Sequence, residues 1–189
     1  MSGKKFVLAN AELMLLQIVL ERQPISGYDL NKLVGKRNIR VWADLGTTSI
    51  YLSLKKLDKK ELISGYLDKK KSGKGPPPRK YSVTNYGKKV LTNEILKSLS
   101  TSDENEKRFD IAFHGINFLP RIVVILAFEK RIEHLMNRFE LLEKNLELLG
   151  ESAAMHNSTI LNHRMFLVGN EIEFLQKLLE DLRDKDVEL

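Results

Sequence analysis

The chain has 189 residues, of which 42% are hydrophobic and 30% charged, enough for one medium domain or two small ones with a buried core. It contains no cysteine, which excludes disulfides, thiolate metal sites and thiol catalysis, and we expect a reducing, cytoplasmic setting. The longest apolar run, Ile122 to Phe128, is too short to span a bilayer, and the N-terminus shows no signal-peptide pattern.

The formal net charge of +6 is unevenly distributed along the chain. Residues 1–97 hold 20 Lys+Arg against 8 Asp+Glu, a net charge of +12, whereas residues 98–189 hold 11 against 17, a net charge of −6. Such asymmetry predicts a first half that binds a polyanion such as nucleic acid and a second half with a different task. The alternative is that the lysines only keep a surface soluble.

The start of the chain predicts three helices. Asn10 is expected to cap the first helix, which ends before Pro24, and Ser26 is expected to cap the second. The stretch "GKRNIRVWADLG" has glycine at both ends and predicts a connector. Thr47 or Thr48 is then expected to cap the third helix.

A weakly alternating stretch, "ISGYLDKKKSGKGPPPRKYSVT", follows the third helix and predicts a β-hairpin with a long basic tip. Thr84 or Asn85 is expected to cap a fourth helix. Three helices, a hairpin wing and a fourth helix predict a winged helix-turn-helix domain over residues 1–99. The polar stretch 100–107 is the predicted linker.

The second half, residues 108–189, predicts a helical domain in a mainly α protein. A short apolar helix precedes Pro120, which stands at the favoured first position of a long helix. Two runs of alternating three- and four-residue spacing follow, and they predict an antiparallel coiled-coil hairpin. The first run is Ile125, Phe128, Ile132, Leu135, Phe139, Leu142, Leu146 and Leu149, which Gly150 is expected to end. The second run is Leu161, Met165, Val168, Ile172, Leu175, Leu179 and Leu182.

Further apolar residues lie off these two runs and would stay exposed on a lone hairpin. They are Val124, Leu141, Leu148, Ile160, Phe174 and Leu178. A second copy of the chain would cover them, which predicts a homodimer assembled through this domain. The predicted dimerisation residues are Ile125, Phe128, Ile132, Leu135, Phe139, Leu142, Leu161, Val168, Ile172, Leu175 and Leu179. The alternative is that the hairpin folds back on the N-terminal domain.

The third helix has the composition of a DNA-reading helix. Ile50, Leu54 and Leu57 share one face, while the far face has hydroxyls at its start and lysines further along. Hydroxyls and free N–H groups at a helix start can bond base edges and phosphates, and lysines reach the flanking backbone. The predicted DNA-binding residues are Thr47, Thr48, Ser49, Tyr51, Lys55 and Lys56 in this helix, with Lys69, Lys70, Lys71, Lys74 and Arg79 in the wing.

Two readings of this helix stay open. An amphipathic helix with a solvated lysine face has the same pattern. Leu52, on the far face, would contact either a thymine methyl or a neighbouring segment.

Three stretches resemble the PadR family of winged helix-turn-helix transcriptional regulators: "LMLLQIVLERQPISGYDLNKLV", "VWADLGTTSIYLSLKKLDKKELI" and "PPPRKYSVTNYGKKVL". The specific features are the Gly27-Tyr28 pair, Trp42 ahead of Ser49-Ile50-Tyr51, and Arg79 to Tyr81 followed by Thr84 and Gly87. The resemblance implies a dimer, usually a repressor, on a pseudo-palindromic operator, with the third helix in the major groove. Some members respond to phenolic acids or planar multidrug compounds. The triple proline and lysine run of the wing tip, Leu52 and Ala43 depart from the family pattern and leave the operator sequence open.

A small aromatic effector is a further expectation. A cavity between the first helix, Trp42 and the C-terminal helices would hold it, and plain core packing is the alternative role of Trp42. The sequence shows no phosphate-binding glycine loop, no Ser-His-Asp pattern and no close metal-binding histidine pair, so we expect no enzyme, cofactor or metal. The expected partners are double-stranded DNA and a second copy, without a membrane. The competing function is a winged-helix protein-interaction module assembled through its coiled coil.

Overall fold

The structure is a computed structural model that describes residues 8–43, 45–68, 77–102, 106–149 and 154–184. It divides into two compact units. The first comprises Met1–Ile95 with Asn105–Gly115, and the second comprises Leu96–Glu104 with Ile116–Leu189. Within the ranges above, no helix is both long enough and apolar enough to cross a membrane.

The first unit is a winged helix-turn-helix, which confirms the predicted fold. Its elements are α1 (Asn10–Arg22), β1 (Ile25–Ser26), α2 (Gly27–Lys36), α3 (Ile39–Ala43), α4 (Thr47–Lys59), β2 (Ile63–Leu67), β3 (Arg79–Val83), the first part of α5 (Asn85–Ser100), and α6 (Glu106–Phe113). The strands form an antiparallel sheet in the order β1-β3-β2. Ile63 pairs with Val83 and Leu67 with Arg79, so β2 and β3 form the predicted hairpin.

The core of this unit is built around α1, which is buried from Glu12 to Val19 and contacts α3, α4 and α6. Glu12 is the charged exception in this buried run. Its carboxylate accepts hydrogen bonds from Lys60 Nζ at 2.9 and 3.0 Å and from the Ala9 backbone N–H at 2.9 Å. A buried carboxylate is tolerated when it is paired in this way, and the pair joins the start of α1 to the end of α4.

Two of the predicted caps are confirmed and two are wrong by one residue. Ser26 Oγ accepts from the Asp29 N–H at 3.1 Å, and Thr84 Oγ1 accepts from the Gly87 N–H at 2.9 Å. Asn10, however, is already inside α1, where the Glu12 side chain takes up the free N–H of Ala9 instead. Neither Thr47 nor Thr48 caps α4, because the capping position belongs to Gly46 and Thr47 begins the helix.

The predicted connector between the second and third helices contains a short helix, α3. Its five residues bury Ile39 and Ala43. A single turn has too few residues to show an apolar period, so sequence periodicity does not reveal it.

The second unit contains a 3₁₀ turn (Ile116–Phe118) and two long helices, α7 (Arg121–Leu149) and α8 (Met155–Arg183). Their ends meet, since Arg183 Nη2 donates to Glu129 Oε1 at 2.7 Å and Arg121 Nη1 donates to the Asp184 carbonyl at 3.1 Å. The predicted antiparallel helical hairpin is therefore confirmed. Gly150, expected to end the first long helix, lies outside the described residues.

The predicted seam runs through the interior of the hairpin. Its buried members are Phe128, Leu135, Leu142, Val168, Leu175, Leu179 and Leu182; Ile125, Ile132, Phe139, Leu146, Leu149, Leu161, Met165 and Ile172 are half-buried. Val124 was expected to be exposed, and this is wrong, because it is fully buried. The buried face of α7 also takes in Ala127 and Arg131, so it is wider than a strict coiled-coil seam.

Arg131 is the charged residue on that wide face, with only 4% of its surface exposed. Its Nε donates to Glu171 Oε1 of α8 at 2.7 Å. Nη1 donates to the carbonyl of Ser98 at 3.3 Å and to that of Thr101. The guanidinium thus joins α7 to α8 and also bonds the chain at the end of α5 and just beyond it.

Candidate nucleic-acid interface

Helix α4 separates its two faces as the sequence predicts. Ile50, Leu54 and Leu57 are buried, and the helix packs against α1 and α2. The opposite side is open to solvent. Its exposed residues are Thr47, Thr48, Tyr51, Leu52, Lys55, Lys56 and Lys59, and Ser49 is half-buried at its edge. The predicted DNA-reading side chains of α4 therefore lie on one accessible side, and Leu52 lies among them with 55% of its surface exposed.

Arg40 holds the start of α4, a role that the sequence analysis missed. Its Nη2 donates to Asn31 Oδ1 of α2 at 2.5 Å, and its Nη1 donates to the Leu45 carbonyl and to Thr47 Oγ1, both at 3.3 Å. Because the Thr47 oxygen accepts from Arg40, the hydroxyl proton of Thr47 is free to point outward as a donor. The sequence shows Arg40 only as a basic residue in a predicted connector, which does not reveal these contacts.

Tyr51 lies against the start of α2. A Cβ added to Gly27 would come within 2.9 Å of Tyr51 Cε1, so glycine is needed for this close approach. The neighbouring Tyr28 is exposed. It was not among the predicted site residues, although an exposed phenol hydroxyl can bond a phosphate.

The wing contributes Arg79, the described member of its predicted basic set. Lys69, Lys70, Lys71 and Lys74 lie outside the described residues. Arg79 Nη2 donates to Asp58 Oδ2 of α4 at 2.9 Å. The guanidinium carbon lies 5.8 Å from the centre of the Tyr81 ring, within cation–π range.

Tyr81 belongs to the wing strand β3 and is partly buried. Burial raises the pKa of its phenol above the ordinary value, the negative charge of Asp58 acts in the same direction, and Arg79 opposes them. Tyr81 is therefore a neutral hydrogen-bonding group at physiological pH.

Trp42, the residue predicted to line an effector pocket, is half-buried in α3 with its ring centre 6.0 Å from that of His114. Gln17 Nε2 donates to the Ile111 carbonyl at 2.9 Å, which leaves Gln17 Oε1 to accept from His114 Nδ1 at 2.9 Å. Burial, and then the charge of Arg37, lower the pKa of His114. The imidazole beside Trp42 is therefore neutral near pH 7.

Comparison with known proteins agrees with this geometry. The model of the family described as "Transcriptional regulator PadR-like family" matches residues 15–93. This segment resembles that family. It extends from within α1 to within α5 and includes the whole of α4 and the wing strands, so the resemblance seen in the sequence is confirmed.

Several solved structures resemble the chain at low identity. Bacillus subtilis PadR in complex with operator DNA has a TM-score of 0.42 and 18% identity, over 90% of this chain and 98% of that one. The PadR-like transcriptional regulator BC1756 from Bacillus cereus has a TM-score of 0.40 and 18% identity, over 93% and 99%. Bacillus subtilis PadR in complex with p-coumaric acid has a TM-score of 0.40 and 17% identity, over 93% and 100%. A comparison with curated proteins finds no match.

Proposed function

We propose that the chain is a sequence-specific DNA-binding transcriptional regulator that acts as a homodimer, with α4 as its recognition helix. One observation supports this most strongly: within a PadR-like domain, the exposed side of α4 has Thr47 and Thr48 at its start and Lys55 and Lys56 further along. The net charge of +12 on residues 1–97 supplies the attraction to duplex DNA.

The chemistry follows from the order of groups along the helix. Hydroxyls and free backbone N–H groups at the start of α4 bond base edges or phosphates inside a major groove, and lysines neutralise the flanking phosphates. Two protomers present two such helices to half-sites about one helical turn apart, roughly 34 Å, which requires a pseudo-palindromic operator. A dimer bound across a promoter represses by occupying it.

Two substitutions in α4 separate base reading from phosphate binding. Lys55→Ala is expected to weaken binding to all duplexes alike, because phosphate contacts are independent of sequence. Ser49→Ala is expected to change the preferred base at one position of each half-site, by about 1–3 kcal/mol. Sequencing the fragments that each variant selects from a random duplex pool measures both effects.

The matched control for these variants is Lys177→Ala. Lys177 is an exposed lysine of α8 that pairs with Glu173 at 2.8 Å, far along the chain from α4. It should select the same fragments as the wild type with the same affinity. Identical selected fragments for Ser49→Ala and the wild type would contradict the assigned base-reading role.

Unpartnered apolar residues on the helical hairpin support the homodimer. Ile160, Leu167 and Phe174 recur every seven residues along α8 and are all exposed, so they form a second apolar stripe outside the hairpin's own seam. Leu141 and Leu148 of α7 are also exposed at a seven-residue spacing. Sustained stripes of this kind indicate a helix partner, and a second copy of the same hairpin is the partner we propose.

Leu167→Glu tests this interface. A carboxylate in the middle of the apolar stripe cannot be buried without a partner, so we expect the variant to be a folded monomer whose affinity for DNA falls at least tenfold. Sedimentation equilibrium gives the mass, and circular dichroism confirms the fold. Asn162→Glu places the same charge at an exposed polar position of α8 and should leave the dimer intact. A monomeric wild type would contradict the proposal.

We extend the proposal to control by a small aromatic effector beside Trp42. The half-exposed indole and the neutral His114 ring offer flat surfaces on which a planar molecule can stack. An effector that bound one spacing of the two recognition helices more tightly would shift operator affinity. Trp42 is the chain's single tryptophan, so its fluorescence is a specific reporter of such binding.

A further inference from the structure

Arg79 connects the wing to the recognition helix. It begins β3, and its Nη2 reaches Asp58 Oδ2 in the last turn of α4 at 2.9 Å. Tyr81 lies two residues further along, on the same face of β3, with its ring 5.8 Å from the guanidinium carbon. One side chain therefore passes from β3 to α4, and we refer to the contact of Arg79 with Asp58 as the strap.

The path of the strap crosses β2 at Gly65. In the sheet, Gly65 is paired with Tyr81. A Cβ at this position would overlap Arg79 Nε and would lie 3.0 Å from Tyr81 Cε1. Glycine in a strand interior weakens the strand and often marks the close approach of another group. Here the approaching group is the Arg79 side chain. Because Gly65 has no side chain, Arg79 has room to cross β2 and reach Asp58.

The strap contributes little to folding. Arg79 and Asp58 side chains are 47% and 33% exposed, and ion pairs this accessible to solvent add almost nothing to the free energy of unfolding. Asp58 is also an acid on a helix that we propose to lie against phosphates, where its charge is repulsive. An acid at this position is useful to a DNA-binding protein if its role is to hold Arg79.

We propose that Arg79 is a positioning residue, which through Asp58 fixes the direction of β3 relative to α4 so that wing and helix meet the same duplex. This rests on the proposed DNA-binding function. It replaces the sequence-based hypothesis that Arg79 itself contacts the phosphate backbone.

Asp58→Asn distinguishes the two roles, because it removes a negative charge from the DNA-facing unit. If Arg79 contacts phosphate directly, losing the acid frees the arginine and binding becomes equal or tighter. If Arg79 positions the wing, binding weakens about three- to tenfold although the protein has become more positive. Affinity for one operator-containing duplex, or for random duplex, measures this at constant salt.

A double-mutant cycle completes the test. Arg79→Gln should weaken binding as Asp58→Asn does, and the double variant should be no weaker than Arg79→Gln alone, since both remove the same strap. Loss of a true phosphate contact lowers the slope of log affinity against log salt by about 0.9, whereas loss of the strap leaves that slope nearly unchanged. Gly65→Ala should reproduce the weakening by blocking the passage.

Three measurements guard against a merely structural effect. Glu61→Gln removes one negative charge just beyond α4 without touching the strap, and it should bind equally well or more tightly. The Tm of Asp58→Asn should lie within about 4 °C of the wild type, as expected for a solvent-exposed pair. NMR of the Arg79 guanidinium should show hindered rotation in the wild type and in Glu61→Gln, and free rotation in Asp58→Asn.

The outcomes separate this inference from the function on which it rests. The strap is supported if the wild type binds duplex DNA, Asp58→Asn binds it more weakly, and Glu61→Gln does not. If the wild type binds duplex DNA and Asp58→Asn binds it equally well or more tightly, the strap is overturned and the proposed function stays intact. A wild type that binds no duplex overturns the proposed function, and the positioning role with it.

Discussion

Replacing Gly87 with alanine is expected to destabilise the winged-helix unit by about 3 kcal/mol, the largest effect that we expect from a single added methyl group. Gly87 lies in the first turn of α5, where the helix passes against the end of the α4–β2 connection. A Cβ there would overlap the Leu62 carbonyl oxygen, lie 2.9 Å from its carbonyl carbon and lie 3.0 Å from Val83 Cγ1. Two of these three atoms belong to the backbone, so no rotamer change can relieve the contact.

Hydrogen bonds hold the obstructing carbonyl in place. The Thr84 N–H donates to the Leu62 carbonyl at 3.0 Å, and Thr84 Oγ1 lies 3.3 Å from the same oxygen. Thr84 Oγ1 also accepts from the Gly87 N–H at 2.9 Å, which caps α5. Moving Leu62 to admit a methyl group would therefore break the cap and the bonds at the end of β3, and Leu62 itself is fully buried.

Gly35→Ala is the matched control for this substitution. Gly35 lies in α2, and a Cβ there would be 3.7 Å from Arg40 Nε, an ordinary contact. Alanine in a helix is favoured over glycine, so this variant should be more stable by about 0.5–1 kcal/mol. Urea unfolding followed by circular dichroism measures both variants. Equal midpoints for Gly87→Ala and the wild type would show that the close approach of α5 is wrong.

Local signals in the sequence were sufficient for most of the architecture, although not for the short helix α3. Ser26 and Thr84 cap their helices because a hydroxyl before a helix bonds a free N–H in the first turn, whatever the rest of the fold does. Ile50, Leu54 and Leu57 turn inward because apolar residues at helical spacing must share a face. The long seams of α7 and α8 have the same origin, so the winged helix and the antiparallel hairpin both follow from periodicity.

Residues that depend on distant partners could not be predicted in this way. In the sequence, Arg131 has the pattern of a solvent-exposed basic residue of a heptad. Its partners are Glu171 and the carbonyls of Ser98 and Thr101, which are 30 or more residues away in the chain. Arg40 likewise lies in a predicted connector, and only the structure shows its hydrogen bonds to Asn31 and Thr47. Such pairings depend on how elements pack, and no local pattern encodes them.

In the candidate site, too, features set by local pattern could be predicted, and contacts between distant residues could not. The exposed side of α4 was predictable, since it is the complement of a periodic buried face. The contact of Arg79 with Asp58 was not, because the sequence of a hairpin does not show which residue a basic side chain will meet. The contacts that Asp58 and Gly65 make with Arg79 are seen only when β2, β3 and α4 are placed together.

The second large effect that we expect is the loss of DNA affinity as salt rises. Each phosphate neutralised by a lysine or arginine releases condensed counterions, so log affinity falls by about 0.9 per contact for each unit of log salt. In the proposed complex, Lys55 and Lys56 on α4 and the basic wing residues would supply several such contacts per protomer, and a dimer would double them. With about 6–10 contacts, affinity should fall by roughly 10³-fold or more between about 50 and 200 mM salt.

Hydroxyl contacts change this dependence little, because Thr48 and Ser49 are uncharged and release no counterions. A protein-interaction module that binds an acidic protein surface would be indifferent to competing random duplex. The salt slope, measured with and without such competitor, therefore reports on the cationic surface of α4 and the wing.

The central claim is that the exposed side of α4 and the wing bind duplex phosphates as a pair of protomers. Its most direct test is a titration of the purified chain with duplex DNA from its own promoter, followed by fluorescence anisotropy at several salt concentrations. We predict one dimer per site and a log–log slope of about −5 to −9. A slope near zero, or no binding at about 50 mM salt, would contradict the account.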